Sequence, residues 1–159
     1  LDSGVEQSAY GNGILTADEI SRIELKGTEL VVLSACNSGN SLLDDTNHLA
    51  GLHIAFAAAG VRYIISSLWE VDDLATAVLM QLFYEEWNSK KSVEEALLNA
   101  KNKIRFMTAN EIYQYIIQKD AASVIPEEML ENFLKIDSQQ QIFSHLYYWA
   151  GFVCYKNLF

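Results

Sequence analysis

The chain has few of the features that mark membrane and secreted proteins. No apolar run reaches the length of a membrane-spanning helix, and the richest one, residues 49–60, is short and contains His53. The pattern of a secretory signal peptide is not recognisable in the sequence, and none is expected. The two cysteines lie far apart, so they do not form a disulfide framework. These absences predict a cytoplasmic protein with no membrane partner.

Basic residues are scarce as well. The chain has 11 Lys and Arg against 21 Asp and Glu, a formal net charge of −10. Such a surface repels a phosphate backbone, so we do not expect direct contact with nucleic acid. No group of His, Cys or carboxylates has zinc-site spacing, and residues 37–39 lack the spaced glycines and lysine of a phosphate-binding loop. No metal and no cofactor are predicted.

The length and hydrophobic content of the chain suffice for one domain with a substantial core, since the 159 residues are 50% hydrophobic. Apolar runs predict three strands, at residues 29–34, 63–68 and 147–155. Helical periodicity predicts helices at residues 49–59, after Asp72 and after Ser92. The alternation of strand and helix predicts an α/β fold with right-handed crossovers, a mostly parallel sheet and helices on both faces.

Two segments bear on the extent of the domain. Residues 108–141 separate a crossover helix from the last strand, and we interpret them as a helical insertion that includes Pro126. Residues 1–12 resemble interior loop sequence, and three strands are few for a self-sufficient sheet of this kind. We therefore expect residues 1–159 to be an incomplete piece of the domain that lacks its N-terminal strands.

Cys36 is the first candidate for a nucleophile. The sequence around it, LVVLSACNSG at residues 30–39, is an apolar strand that ends in a polar loop. Open α/β sheets place their chemistry at the carboxyl ends of their strands. The alternative is that Cys36 is a small buried hydrophobic residue, which is the commoner role for a lone cysteine. That role suits Cys154, which lies within a predicted strand.

The amino-acid sequences of these elements resemble those of the CHAT family of caspase-like, clan CD cysteine proteases. The resembling segments are residues 11–39, 49–76, 96–105 and 147–155. Most specific is the pair formed by Ser-Ala-Cys at the end of one strand and Ser-Leu-Trp-x-Val-Asp-Asp at the end of the next. CHAT domains typically occur in bacterial proteins that carry tetratricopeptide repeats.

The resemblance implies a three-layer caspase-like sandwich with Cys36 as the nucleophile. The family's general base is a histidine in a His-Gly motif at the end of the preceding strand. None of the chain's three histidines, His48, His53 and His145, is followed by glycine. The base is therefore expected in a missing N-terminal segment of the same protein, and this chain alone is expected to be inactive. The resemblance also implies two kinds of partner, a protein or peptide substrate and a sensor or repeat domain.

Four further residues are candidates for substrate binding. Ser34 points to the same side as Cys36 by the two-residue period of a strand, and the resemblance implies that it walls the substrate pocket. Glu70, Asp72 and Asp73 follow the second strand, at the same sheet edge. Their simplest role is to cap the next helix and favour its dipole. The functional alternative is a preference for lysine or arginine at the cleavage position.

Two other functions stay open. A catalytically silent caspase-like module used for protein binding would lack the histidine altogether. A flavodoxin-like ligand-binding domain would place a ligand at the loop around Asn37 and show no thiol reactivity at Cys36.

Overall fold

Helices and strands alternate in the first part of the chain, and several helices separate the second strand from the third. The computed structural model describes residues 15–33, 45–119, 133 and 135–158, with the backbone alone for residues 45–50. In chain order the elements are α1 (Ala17–Ser21), β1 (Leu30–Leu33), α2 (Asp45–Ala58), β2 (Tyr63–Ser67), α3 (Asp73–Asn88), α4 (Val93–Ile104), α5 (Ala109–Gln118), a 3-10 helix (Leu146–Tyr148) and β3 (Phe152–Lys156). No helix in this part of the chain has the length and hydrophobicity to cross a lipid bilayer.

The helix starts follow from side chains that satisfy the free amides of the first turn. At α1 the Thr16 hydroxyl accepts from the Glu19 amide at 3.2 Å, and the Glu19 carboxylate accepts from the Thr16 amide at 2.8 Å. The same reciprocal pair, Thr108 with Glu111, begins α5. Asp72 caps α3, as predicted, and Ser92 caps α4.

The sheet has the strand order β1-β2-β3. β1 and β2 are parallel, with Leu30 opposite Tyr63 and Leu33 opposite Ser66. β2 and β3 are antiparallel, with Ser67 opposite Phe152. The described sheet is therefore mixed, whereas a mostly parallel sheet was predicted. The mixed α/β class is confirmed, and the complete caspase-like sandwich stays a prediction.

Helices pack on both faces of this sheet. Tyr63 and Ile65 of β2 belong to the apolar cluster built with α3 and α4. Ser66 of β2 and Tyr155 of β3 instead contact His53 of α2. Because alternate residues of a strand point to opposite faces, α2 lies on one face, and α3 and α4 lie on the other.

The core lies mainly between the sheet and the helices α3, α4 and α5. α3 contributes a broad buried face, as its periodicity predicted. The largest side chains with less than 2% exposure include Phe83, Leu79, Leu82, Ile104, Ile112 and Phe152.

The last strand begins later than predicted. Residues 147–155 carry the aromatic and β-branched pattern of a strand, but β3 starts only at Phe152. Ahead of it, the His145 side chain accepts from the Tyr147 amide at 3.2 Å, and the Ala150 amide donates to the Leu146 carbonyl at 2.8 Å. These local bonds hold a helical turn, and tertiary context overrides strand propensity there.

Part of the predicted helical insertion, residues 108–141, is described. Its first helix is α5, and Ile112 and Ile116 of this helix are buried in the same cluster as α3 and α4. Pro126 and the second predicted helix lie outside the described residues. The description of this segment as an insertion stays a prediction.

Candidate functional site

The candidate site is the sheet edge at which β1 and β2 end. Both strands run in the same direction, and Leu33, the last residue of β1, lies opposite Ser66 near the end of β2. The chain therefore leaves both strands at the same edge. Cys36 and Ser34 follow Leu33 and lie outside the described residues, so their positions stay predictions.

The exit from β2 is held firmly against the segment before β3. The Leu68 amide donates to the Gly151 carbonyl at 2.9 Å, and the Trp69 indole donates to the Tyr147 carbonyl at 3.0 Å. A Cβ atom at Gly151 would lie 2.7 Å from the Trp69 ring, so only glycine allows this close contact. These contacts make Trp69 a packing residue at the end of β2.

The three acidic candidates follow directly. Asp72 is the N-cap of α3, and its carboxylate accepts from the Ala75 amide at 2.8 Å. Asp73 lies in the first turn of α3, where a negative charge favours the helix dipole. Glu70, Asp72 and Asp73 are all solvent-exposed. The capping role predicted for Asp72 is confirmed, and the specificity role of the group stays a prediction.

The two histidine side chains that the structure describes are both engaged. His53 lies 2.8 Å from the Ser66 hydroxyl through its Nε2 atom, and burial lowers its pKa from the usual value. His145 accepts from the Tyr147 amide through Nδ1 at 3.2 Å. Each of these rings is thus engaged through one nitrogen.

Cys154 is the cysteine that the structure describes. It is partly buried in β3, and burial, with a smaller contribution from the Glu94 charge, raises its pKa to about 11. Because the thiolate is the reactive form, this thiol is a poor nucleophile near neutral pH. The prediction that Cys154 is a packing residue fits this environment.

The pair formed by His53 and Ser66 was missed by the sequence reasoning, which treated His53 only as an unsuitable base. A signal was available. His53 lies in the apolar run 49–59 and Ser66 in the largely apolar strand β2, and polar groups inside a protein are normally hydrogen-bonded to one another or to the backbone. The sequence does not show, however, which residue of the helix lies next to which residue of the strand.

Comparison with known proteins bears on this arrangement. No curated protein and no solved structure matches the chain. The family model described as CHAT domain matches residues 3–157, nearly the whole chain. That family is associated with caspase-like peptidases. The chain therefore belongs to the CHAT domain family.

Proposed function

We propose that this chain is the nucleophile-bearing part of a cysteine endopeptidase of caspase-like type. The observation that supports the proposal is the parallel pairing of β1 with β2 in a chain that the CHAT model matches from residue 3 to residue 157. With that pairing, the segment after β1, which includes Cys36, and the acidic segment after β2 leave the sheet at one edge. Ligand sites of α/β sheets lie at such edges.

The proposed chemistry is acyl transfer through sulfur. The Cys36 thiolate attacks the scissile carbonyl, so an S–C bond forms and the C–N bond breaks. The proton taken from the thiol passes to the leaving amine through a histidine acting as general base and then general acid. Water then hydrolyses the thioester and regenerates the thiol.

The histidine and one oxyanion donor are expected from a His-Gly motif, which does not occur in the 159 residues. The backbone N–H of Cys36 is the other donor in the proposal. Losing one oxyanion donor costs about 10²-fold or more in rate, so both parts are needed for useful activity. We further propose that a sensor or repeat domain controls activation, and that the protein works in the cytoplasm.

The proposed specificity is for arginine or lysine at the cleavage position. Glu70, Asp72 and Asp73 place exposed carboxylates directly after β2, and Ser34 is proposed to wall the pocket. A carboxylate near the pocket would attract a cationic side chain. Glu70 is the best placed of the three for this role, because it precedes the helix and Asp72 already caps α3.

One experiment tests both the function and the specificity. The full-length protein is treated with peptidyl acyloxymethyl ketones that carry Arg, Lys, Asp or Met at the cleavage position, and adducts are mapped by mass spectrometry. We expect labelling at Cys36, with Arg and Lys at least about tenfold faster than Asp and Met, a ratio equivalent to ~1.4 kcal/mol. Glu70→Gln should reduce that ratio, and Glu24→Gln, also exposed but located before β1, should not.

Two results would contradict this account. Equal rates for the four peptides would remove the specificity proposal. Absence of a Cys36 adduct would instead favour the silent protein-binding module.

A further inference from the structure

An open groove lies between the C-terminal end of α4 and one side of α5. Its volume is about 540 Å³, within the range of ordinary ligand-binding clefts. Met107, in the turn between the two helices, lines the groove and is 9% exposed, and the partly buried Tyr115 of α5 lies beside it in the lining. Phe106 also lines the groove but is 57% exposed. The groove therefore offers an apolar surface that a partner can cover.

Three amide side chains of α5 line the same groove. Asn110, Gln114 and Gln118 follow one another at four-residue intervals, so they lie on one face of the helix about 6 Å apart. All three residues are solvent-exposed, and none of their side chains is hydrogen-bonded to another described residue. The face of α5 that borders the groove thus carries a stripe of free donors and acceptors.

The spacing of this amide stripe matches the repeat of an extended polypeptide. Each side-chain amide has both a donor and an acceptor, as a peptide unit does. In an extended chain the peptide units that face the same way recur every two residues, about 6.4–6.8 Å. Three amides about 6 Å apart can therefore bond successive peptide units of one strand, which a compact ligand would not provide.

The charges in the groove favour an acidic occupant. Lys103 lines the groove and makes no direct ion pair with any described residue; its ammonium lies 5.9 Å from the centroid of the Tyr115 ring. Nearby, the Glu85 carboxylate is already paired with Lys119 at 2.6 Å. The formal net charge of the whole chain is −10, so a cation without a direct partner is a local exception. A carboxylate of the occupant would complement it.

The carboxylate that lines the groove is already engaged. Glu111 accepts from the Thr108 amide at 2.8 Å and from the Thr108 hydroxyl at 3.1 Å, in the capping box that begins α5. Its negative charge is also stabilised by the N-terminal end of the helix dipole. Glu111 therefore opposes an acidic occupant less than a free carboxylate would.

We propose that this groove binds an extended, acidic polypeptide segment of a partner protein. The amide stripe holds the main chain of the segment, Phe106 and Met107 accept an apolar side chain, and Lys103 pairs with a carboxylate. The described residues of the lining all belong to α4, α5 and the turn between them. The inference therefore does not rest on the proposed thiol chemistry, and its test needs no catalysis.

The test measures binding of a fluorescein-labelled peptide to the full-length protein by fluorescence anisotropy. The peptide has eight residues and alternates leucine with aspartate. Gln114→Met removes the central amide but keeps a good helix former, and Lys103→Met removes the cation. The matched controls are Gln81→Met in α3 and Lys26→Met before β1, since neither residue lines the groove.

We expect Gln114→Met and Lys103→Met each to raise the Kd of the peptide at least about fivefold. The two controls should leave the Kd within about twofold of the parent value, and circular dichroism verifies that all four variants are folded. A peptide that alternates leucine with lysine should bind at least about tenfold more weakly. Of two peptides N-methylated at every leucine or at every aspartate, at least one should lose affinity to the same extent, because main-chain donors are removed.

Several results would overturn the inference. Absence of binding to the parent up to about 1 mM peptide would do so. Unchanged affinity in both Gln114→Met and Lys103→Met would place the peptide elsewhere, and full affinity of both N-methylated peptides would show that the main chain is not recognised. If the full-length protein instead self-associates in sedimentation velocity and Gln114→Met prevents this, the groove is filled by a second copy and the proposed partner is wrong.

Discussion

Replacing Cys36 with alanine is expected to lower peptide hydrolysis by the full-length protein at least about thousandfold. The reason is chemical: without sulfur no thioester forms, and only binding and oxyanion stabilisation remain to accelerate attack by water. Hydrolysis of a fluorogenic peptide with arginine at the cleavage position measures the effect. Cys36→Ser should lose nearly as much, because a hydroxyl is a much weaker nucleophile than a thiolate.

Cys154→Ala is the matched control for this prediction. The Cys154 thiol has a pKa of about 11 because it is partly buried in β3, so it carries little thiolate at neutral pH. Its replacement should leave the hydrolysis rate within about twofold of the parent. If activity survived in Cys36→Ala and disappeared in Cys154→Ala, the nucleophile would be Cys154, and our assignment of Cys36 would be wrong.

Phe83→Ala is expected to lower the free energy of unfolding by about 3–5 kcal/mol. Phe83 lies in α3 with 0% exposure, and its ring stacks with Trp87 at 6.0 Å between centroids. Removing it leaves a cavity between α3 and the neighbouring core, which close-packed neighbours fill only in part. Urea denaturation followed by circular dichroism gives the change in unfolding free energy.

The next residue provides the comparison for Phe83. Tyr84 is 42% exposed and lies on the outer side of the same helix, so Tyr84→Ala should cost about 1 kcal/mol or less. If the two variants lost equal stability, the assignment of the buried face of α3 would be wrong.

Local patterns predicted much of the fold. The sequences Thr16-Ala-Asp-Glu19 and Thr108-Ala-Asn-Glu111 are capping-box patterns, and α1 and α5 begin at them because the capping interaction is formed by residues close in sequence. The apolar runs marked β1 and β2, of which β2 is buried at every position and β1 is partly buried. The motif pair ending these strands led to the CHAT family, which the family model confirms.

Features that depend on long-range contacts escaped the sequence reasoning. The start of β3 was placed too early, because the bonds of His145 and Leu146 favour a turn that propensity does not register. The bond between His53 and Ser66 depends on how a helix sits on a strand, and no periodicity specifies that. The candidate thiol itself, at Cys36, is known from sequence pattern alone, because residues 34–44 lie outside the described part of the chain.

The most direct measurement is the pH dependence of iodoacetamide alkylation at each cysteine of the full-length protein, followed by peptide mass spectrometry. The account predicts that Cys36 reacts with an apparent pKa well below the ordinary thiol value of about 8.5, and faster than Cys154 throughout the neutral range. An apparent pKa for Cys36 at or above the ordinary value would contradict the account, because no base would then be activating that sulfur.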